Sequence, residues 1–278
     1  MSTSPRPAAR ELPALTELLC GGDVKGCCDA LYGHPAVRWV LGDELHPGGA
    51  ATTRCALELI GVGPESRLLD IASGKGDSAL LAARERGCSV TGVDYGEAGV
   101  IDARRAAEAA GVGDRVAFRV GDAEALPFVD GSFDAVLCEC SLSMFPDKPR
   151  ALAEVRRVLR SGGRVAIAEV LADHDRLPAS LSGPLATAVC VGTAVSREEL
   201  LRLFTSGGFC VVATQSCTQA AAEMAERVYD RLRGARLLGA DRIVGSTLVI
   251  EEAIVMAAAA RAAIAQGALD YAIFAAER

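Results

Sequence analysis

From Arg67 onward the chain alternates between two hydrophobic rhythms. Short apolar runs of strand length recur, and between them lie segments whose apolar residues return at helical spacing. Arg67–Ile71 predicts a first strand, Gly76–Arg86 a helix, Cys88–Asp94 a second strand and Glu97–Ala110 a second helix. Arg115–Val120 and Phe133–Cys138 read as the third and fourth strands, Asp147–Leu159 as a helix and Gly163–Val170 as the fifth strand. Ser196 and Glu199 form a capping box for a helix that Gly207 and Gly208 end, and Phe209–Ala213 is a sixth strand. This alternation predicts an α/β fold with a mostly parallel sheet and helices on both faces.

The two ends of the chain follow other patterns. Residues 1–66 read as a helical leader with loops, punctuated by Pro47, Gly48 and Gly49. Gln219–Leu238 and Gly245–Ala265 read as Ala-rich helices, and Asp270–Ala276 as a seventh strand. The expected organisation is a leader over 1–66, a core over 67–216, and a helical insertion with the final strand over 217–278. The two tail helices could close over a site as a lid or form a homodimer face, since small residues such as Ala257–Ala260 permit close helix contact. Ordinary packing against the sheet edge is the third reading.

Composition narrows the function classes. Half the residues are hydrophobic (50%) and 23% are charged, which suits a packed core. The net charge of -7 and the scattered arginines argue against nucleic acid, whose phosphates require clustered cations. The most apolar stretch, Ala253–Ala265, is interrupted by Arg261 and too short for a bilayer. The first residues show no targeting pattern. The expectation is a soluble, cytoplasmic protein without membrane or nucleic-acid partners. In a reducing compartment the 10 cysteines are expected as thiols.

Candidate chemistry begins at the turn after the first strand. Leu68–Asp77 ends in Gly74-Lys75-Gly76-Asp77, a turn that lets backbone approach a ligand closely. A dinucleotide fingerprint requires a third glycine where Asp77 stands, and a carboxylate at a helix start repels pyrophosphate. A nucleoside ligand without phosphate meets no such objection. Asp70 ends strand one and can orient the loop or a ligand amine. Asp94 ends strand two, where a carboxylate can accept ribose hydroxyls. Asp122-Ala123 follows strand three, where a carboxylate can meet an adenine amino group. Singly each aspartate could be a cap or turn residue. Three at the ends of consecutive strands point to a nucleoside site.

The segments DIASGKG, GVDYG, GDAEALPFVDGSFDAVLCE and RVLRSGGRVAIAEV, in this order and spacing over residues 67–170, resemble the core of class I S-adenosylmethionine-dependent methyltransferases. The resemblance implies a Rossmann-like, seven-stranded fold with S-adenosyl-L-methionine as cofactor. The contacts it implies are Asp70, Ala72, Ser73, Gly74, Gly76, Asp94, Tyr95, Asp122, Ala123 and Cys138. Ala72 departs from the family, which usually has Gly there, and Lys75 replaces a commonly small residue.

Methyl transfer needs proximity and orientation, and a base only where the acceptor must lose a proton. His34, His46 and His174 sit in no recognisable catalytic setting and read as surface or packing residues. Cysteines are more suggestive. Strands one, four and five are neighbours in this sheet type, so Cys140 and Cys190 could converge beside the cofactor and hold a soft ion such as As(III) as thiolates. CECSLSMFPDK and VCVGTAVSREEL resemble the corresponding segments of arsenite methyltransferases, and GCCDALYG is faintly similar to that family's leader. That resemblance implies Cys140 and Cys190 as ligands of a metalloid acceptor and leaves a third open among Cys20, Cys27, Cys28 and Cys55, with Cys27 or Cys28 in the leader motif; its C-terminal extension is not recognisable here. The PGG stretch and the CEC motif also resemble relatives whose substrate the likeness does not specify. Three readings follow: a methyltransferase on trivalent arsenic, a methyltransferase on an O, N or C nucleophile of a small metabolite, and a non-catalytic cofactor-binding protein.

Overall fold

The computed structural model describes residues 25, 31–32, 34–42, 45–238 and 247–278. Strands β1 (Arg67–Ile71), β2 (Ser89–Asp94), β3 (Val116–Val120), β4 (Phe133–Glu139), β5 (Leu159–Ala172), β6 (Cys210–Ser216) and β7 (Leu269–Glu277) form one seven-stranded sheet, in the order β3-β2-β1-β4-β5-β7-β6. The first five run parallel, and β7 lies antiparallel between β5 and β6. The chain winds outward from β1 on one side and resumes at β4 on the other. Such a switch point opens a crevice at the carboxyl ends of its strands.

Period-two alternation along the strands divides the core into two layers. Leu68, Leu137, Ala166 and Ile273 belong to one cluster, and Leu69, Ile71, Val136, Val165 and Phe274 to the other. The same alternation puts Asp70 and Glu139 on one face, at the carboxyl ends of adjacent strands.

The described helices are α1 (Pro35–Leu41), α2 (Gly49–Leu59), α3 (Asp77–Arg86), α4 (Glu97–Ala109), α5 (Lys148–Val158), α6 (Pro184–Ala188), α7 (Arg197–Ser206), α8 (Thr218–Leu237) and α9 (Thr247–Ala265). Local signals explain several boundaries. The Ser196 hydroxyl accepts the Glu199 N–H at 3.1 Å to cap α7, and Asp147 accepts the Arg150 N–H at 3.0 Å to cap α5. Helix α5 buries Ala151, Leu152, Val155 and Val158, a stripe at helical spacing. Helix α2 buries Thr53, Ala56 and Leu57 and packs against α3, β4, β5 and β7. Helices α8 and α9 pack on each other, and Arg231 of α8 donates to the Trp39 and Val40 carbonyls at 3.3 and 3.0 Å, tying the tail to α1.

Strands β5 and β6 depart most from their apolar patterns. β5 starts at Leu159, which pairs with Phe133 of β4, and runs on to Ala172 because β7 pairs with it from Arg164 to Ala172. β6 continues through Thr214, Gln215 and Ser216, polar residues tolerated because β6 is an edge strand paired only with β7. Among the described residues, no helix is long and apolar enough to cross a membrane.

Candidate functional site

A cleft of about 380 Å³ opens at the carboxyl ends of β1, β2 and β4. Its floor is the turn after β1. Three residues there have positive φ: Ala72 (57°), Gly74 (52°) and Gly76 (85°). The glycines serve different ends. A Cβ on Gly74 would meet nothing within 4 Å, so its backbone borders open space. A Cβ on Gly76 would lie 2.4 Å from the Phe118 ring, so that glycine lets the turn pack onto β3. Ala72 holds the left-handed conformation with a Cβ present, at a cost of roughly 1–2 kcal/mol.

Asp94 joins the loops after β1 and β2. Its Oδ2 accepts the Gly74 N–H at 2.7 Å and its Oδ1 the Gly96 N–H at 2.8 Å. Burial pushes its carboxyl above the ordinary range, against the pull of these backbone donors. The Tyr95 N–H is a third donor to this carboxylate, which leaves about one lone-pair site for a ligand. Asp122 accepts Lys25 Nζ at 2.6 Å and the Glu124 N–H at 2.9 Å. Burial pushes Asp122 up, but the Lys25 and Glu124 bonds and the lysine charge prevail and hold it below the ordinary range. Lys25 also lies 5.8 Å from the centre of the Tyr95 ring. Asp70 is buried, and its carboxyl is pushed well up by burial and then by the Glu139 and Asp94 carboxylates. Asp70 Oδ2 and Ser73 Oγ are buried without a hydrogen-bond partner among the described residues. Buried polar atoms of this kind call for a ligand with matching groups. These features suit S-adenosylmethionine: Asp94 offers an acceptor for a ribose hydroxyl, Asp70 and Ser73 offer polar atoms beside the turn, and Asp77 stands where a phosphate would be repelled.

The other end of the cleft is built around Glu139. This buried carboxylate accepts Ser78 Oγ at 2.6 Å and Thr53 Oγ1 at 3.0 and 3.2 Å. His46 Nε2 stands 3.7 Å from it, and His46 Nδ1 is buried with no hydrogen-bond partner among the described residues. Leu45, Ala50, Leu81, Met144 and Phe145 supply apolar walls.

Of the residues expected from sequence, Asp70, Ala72, Ser73, Gly74, Asp94, Tyr95, Asp122, Ala123 and Cys140 line the cleft. Gly76 and Cys138 do not line it. Cys138 is buried in the core, and its thiol is pushed well up by burial and then by the Glu169 and Asp70 carboxylates. Cys140 and Cys190 both hold positive φ, 52° and 67°. Cys190 is fully buried, and its thiol donates to the Cys140 carbonyl at 3.3 Å. The two cysteines are therefore neighbours, with Cys140 facing the cleft and Cys190 behind it. Cys20, Cys27 and Cys28 lie outside the described residues. Among the described residues, no group of three or more His, Cys, Asp or Glu side chains is arranged to hold a metal ion.

Sequence reasoning missed His46, Thr53, Ser78 and Glu139. His46 was expected to be a surface or packing residue, yet it faces the cleft. Glu139 stands between the two cysteines of CEC, where the thiols carry the more conspicuous chemistry. Thr53 and Ser78 look like ordinary helical residues until α2 and α3 bring them to the same carboxylate.

A sheet of this order, with an aspartate-flanked turn after β1 and a cleft over the switch point, defines the class I methyltransferase fold, whose cofactor is S-adenosylmethionine. Comparison with known proteins agrees. The family described as a methyltransferase domain matches residues 63–208, just over half of this chain, and the chain belongs to that family. It is 38% identical over 146 residues to the 27-O-demethylrifamycin SV methyltransferase of Amycolatopsis mediterranei, covering 51% of this chain and 54% of that protein. It is 36% identical to the ubiquinone/menaquinone biosynthesis C-methyltransferase of Paracoccus denitrificans, covering 53% and 60%, and 34% identical to an arsenite methyltransferase of Halobacterium salinarum, covering 52% and 38%. The chain thus spans about half the length of the curated relatives it matches. A solved geranyl diphosphate methyltransferase in complex with S-adenosylmethionine superposes with a TM-score of 0.67 at 27% identity, covering 90% of this chain and 94% of that one.

Proposed function

We propose that this protein transfers a methyl group from S-adenosylmethionine to a hydroxyl oxygen of an uncharged small organic acceptor. The observation that carries this reading is His46, whose Nδ1 is buried without a partner among the described residues while its Nε2 faces Glu139. When bound, the cofactor supplies an electrophilic methyl carbon on a positively charged sulfur, which leaves with the bonding electron pair as a neutral thioether. The tautomer with hydrogen on Nε2 points that hydrogen toward Glu139 and leaves Nδ1 as an acceptor. A ring rotation that brings the buried Nδ1 to the cleft lets it take the proton of the acceptor hydroxyl as that oxygen bonds to the methyl carbon, and Glu139 stabilises the imidazolium that forms. Thr53 and Ser78 hold the Glu139 carboxylate in place. Glu139 at the acceptor end disfavours anionic acceptors, and Leu81, Met144 and Phe145 favour an apolar skeleton. The rifamycin relative, whose name gives an O-demethyl compound as the one it methylates, supports the oxygen acceptor. The direct test is label transfer from methyl-labelled cofactor to a panel of phenols and alcohols. Methylation confined to carboxylates or phosphorylated acceptors would overturn the reading.

A second reading, methylation of trivalent arsenic, is favoured by Cys140 facing the cleft and by the archaeal relative. It requires that arsenite with a thiol reductant be methylated, and that Cys140→Ser and Cys190→Ser each abolish this transfer while cofactor binding survives. Full activity in both variants would sink it.

A further inference from the structure

Glu169 takes no part in the chemistry above, yet it is fully buried on β5 and makes an unusual set of contacts. It faces the 3-10 turn Leu142–Met144 that follows β4. Its Oε2 accepts the Ser143 N–H at 3.1 Å, and its Oε1 accepts the Ser143 hydroxyl at 3.2 Å and the Val170 N–H at 3.1 Å. The Leu142 N–H donates to the same carboxylate. A carboxylate has about four lone-pair sites, so these donors saturate it. The residues in and beside the turn, Ser141, Met144 and Phe145, line the cleft. Lys148 grips the far end, its Nζ donating to the Phe145 carbonyl at 3.2 Å.

We propose that Glu169 is a positioning residue whose protonation state sets the conformation of the 141–145 turn and so shapes the acceptor wall of the cleft. Protonation turns one oxygen into a donor, so the Ser143 hydroxyl must rotate from donating to accepting or one of the N–H groups must turn away, and either change rearranges the turn. The titratable groups on the face of Glu169 are Cys138 from β4 and Lys148 from α5, and Tyr271 of β7, on the other face of the sheet, feels its charge. Burial pushes the Glu169 carboxyl up to about 7, against the pull of the Ser143, Val170 and Leu142 donors, so the change falls near neutral pH. The anchoring stands independently of the acceptor; only the word acceptor in this assignment rests on the reading given above.

The chain contains 4 methionines, and Met144 sits in the turn. Methyl-13C-methionine labelling of the full chain, with Met144→Leu to assign the signal, therefore reports on the turn directly. Between about pH 5.5 and about pH 8.5 the Met144 methyl resonance should titrate with a midpoint near 7, the signals of Met224 and Met256 should not follow it, and Glu169→Gln should abolish the transition. Ser143→Ala removes one donor to the charged form, so it should raise the midpoint by about half a unit to one unit. A Met144 signal that stays flat, a Glu169→Gln protein that titrates like the wild type, or a Ser143→Ala midpoint that does not move would overturn the proposal. In turnover, acceptor KM should rise as pH falls through 7 while the cofactor Kd stays constant. A Met144 transition without any change in acceptor KM would keep the anchor and refute the placement of the acceptor against this turn.

Discussion

Replacing His46 by alanine separates chemistry from architecture. The imidazole lines the cleft, its Nδ1 has no partner among the described residues, and its Nε2 stands 3.7 Å from Glu139, beyond ordinary hydrogen-bond reach. Truncation therefore breaks no short bond, and the vacated space opens to the cleft, so stability should change by no more than about 1 kcal/mol. Loss of a positioned proton acceptor typically costs about 10²–10⁴-fold in rate, or roughly 3–5 kcal/mol at about 1.4 kcal/mol per decade. The assay is turnover of methyl-labelled cofactor on whichever phenol or alcohol the wild type methylates, alongside calorimetric cofactor binding. The expected result is a kcat lower by about 10²-fold or more, a cofactor Kd within about twofold, and partial rescue by added imidazole. A variant whose kcat stays within about threefold of wild type would refute the assignment of His46, because an effect that small is under 1 kcal/mol.

Three further outcomes follow from particular contacts. Asp94→Asn puts an amide N–H₂ against the Gly74 or Gly96 N–H and removes the charge, so cofactor Kd should rise by about 10–100-fold in calorimetry. Gly92→Ala would place a Cβ 2.4 Å from the Phe118 ring and 2.7 Å from Ser73 Oγ, so chemical denaturation should show a loss of about 1–3 kcal/mol, together with weaker cofactor binding. Glu169 is raised from 4.5 to about 7 by burial, so the native state holds this proton more tightly than the unfolded chain. Its contribution to stability is complete below about pH 4.5 and is lost as pH rises through 7, a change of roughly 3 kcal/mol. Denaturation at a series of pH values should show the wild type losing roughly 3 kcal/mol more than Glu169→Gln over this range, the part shared by both arising from the raised Asp70 and Asp94 carboxyls.

Much of the fold could be read from sequence because the signals are local. Apolar runs marked the strands, and a serine with a glutamate three residues later marked α7. The placement of Asp70, Asp94 and Asp122 along one cleft was equally legible, since a parallel sheet places the ends of successive strands side by side and each of them ends or follows a strand. The acceptor end was not legible. His46, Thr53, Ser78 and Glu139 come from a loop, α2, α3 and β4, and only tertiary packing brings them together. Ala72 could be recognised as standing where the family usually has glycine, but its positive φ is a property of the folded turn. Cys190 looked equivalent to Cys140 in sequence, whereas burial and its bond to the Cys140 carbonyl distinguish the two.

The central claim is that this cleft moves a methyl group from S-adenosylmethionine to a neutral hydroxyl. Its most direct test is incubation of the purified protein with methyl-labelled S-adenosylmethionine and a panel of uncharged phenols and alcohols, their carboxylated analogues, and arsenite with a thiol reductant. The account predicts label recovered as an O-methyl ether of an uncharged acceptor. Label found only on arsenic or on the anionic analogues, or tight cofactor binding with no transfer to any acceptor, would contradict it.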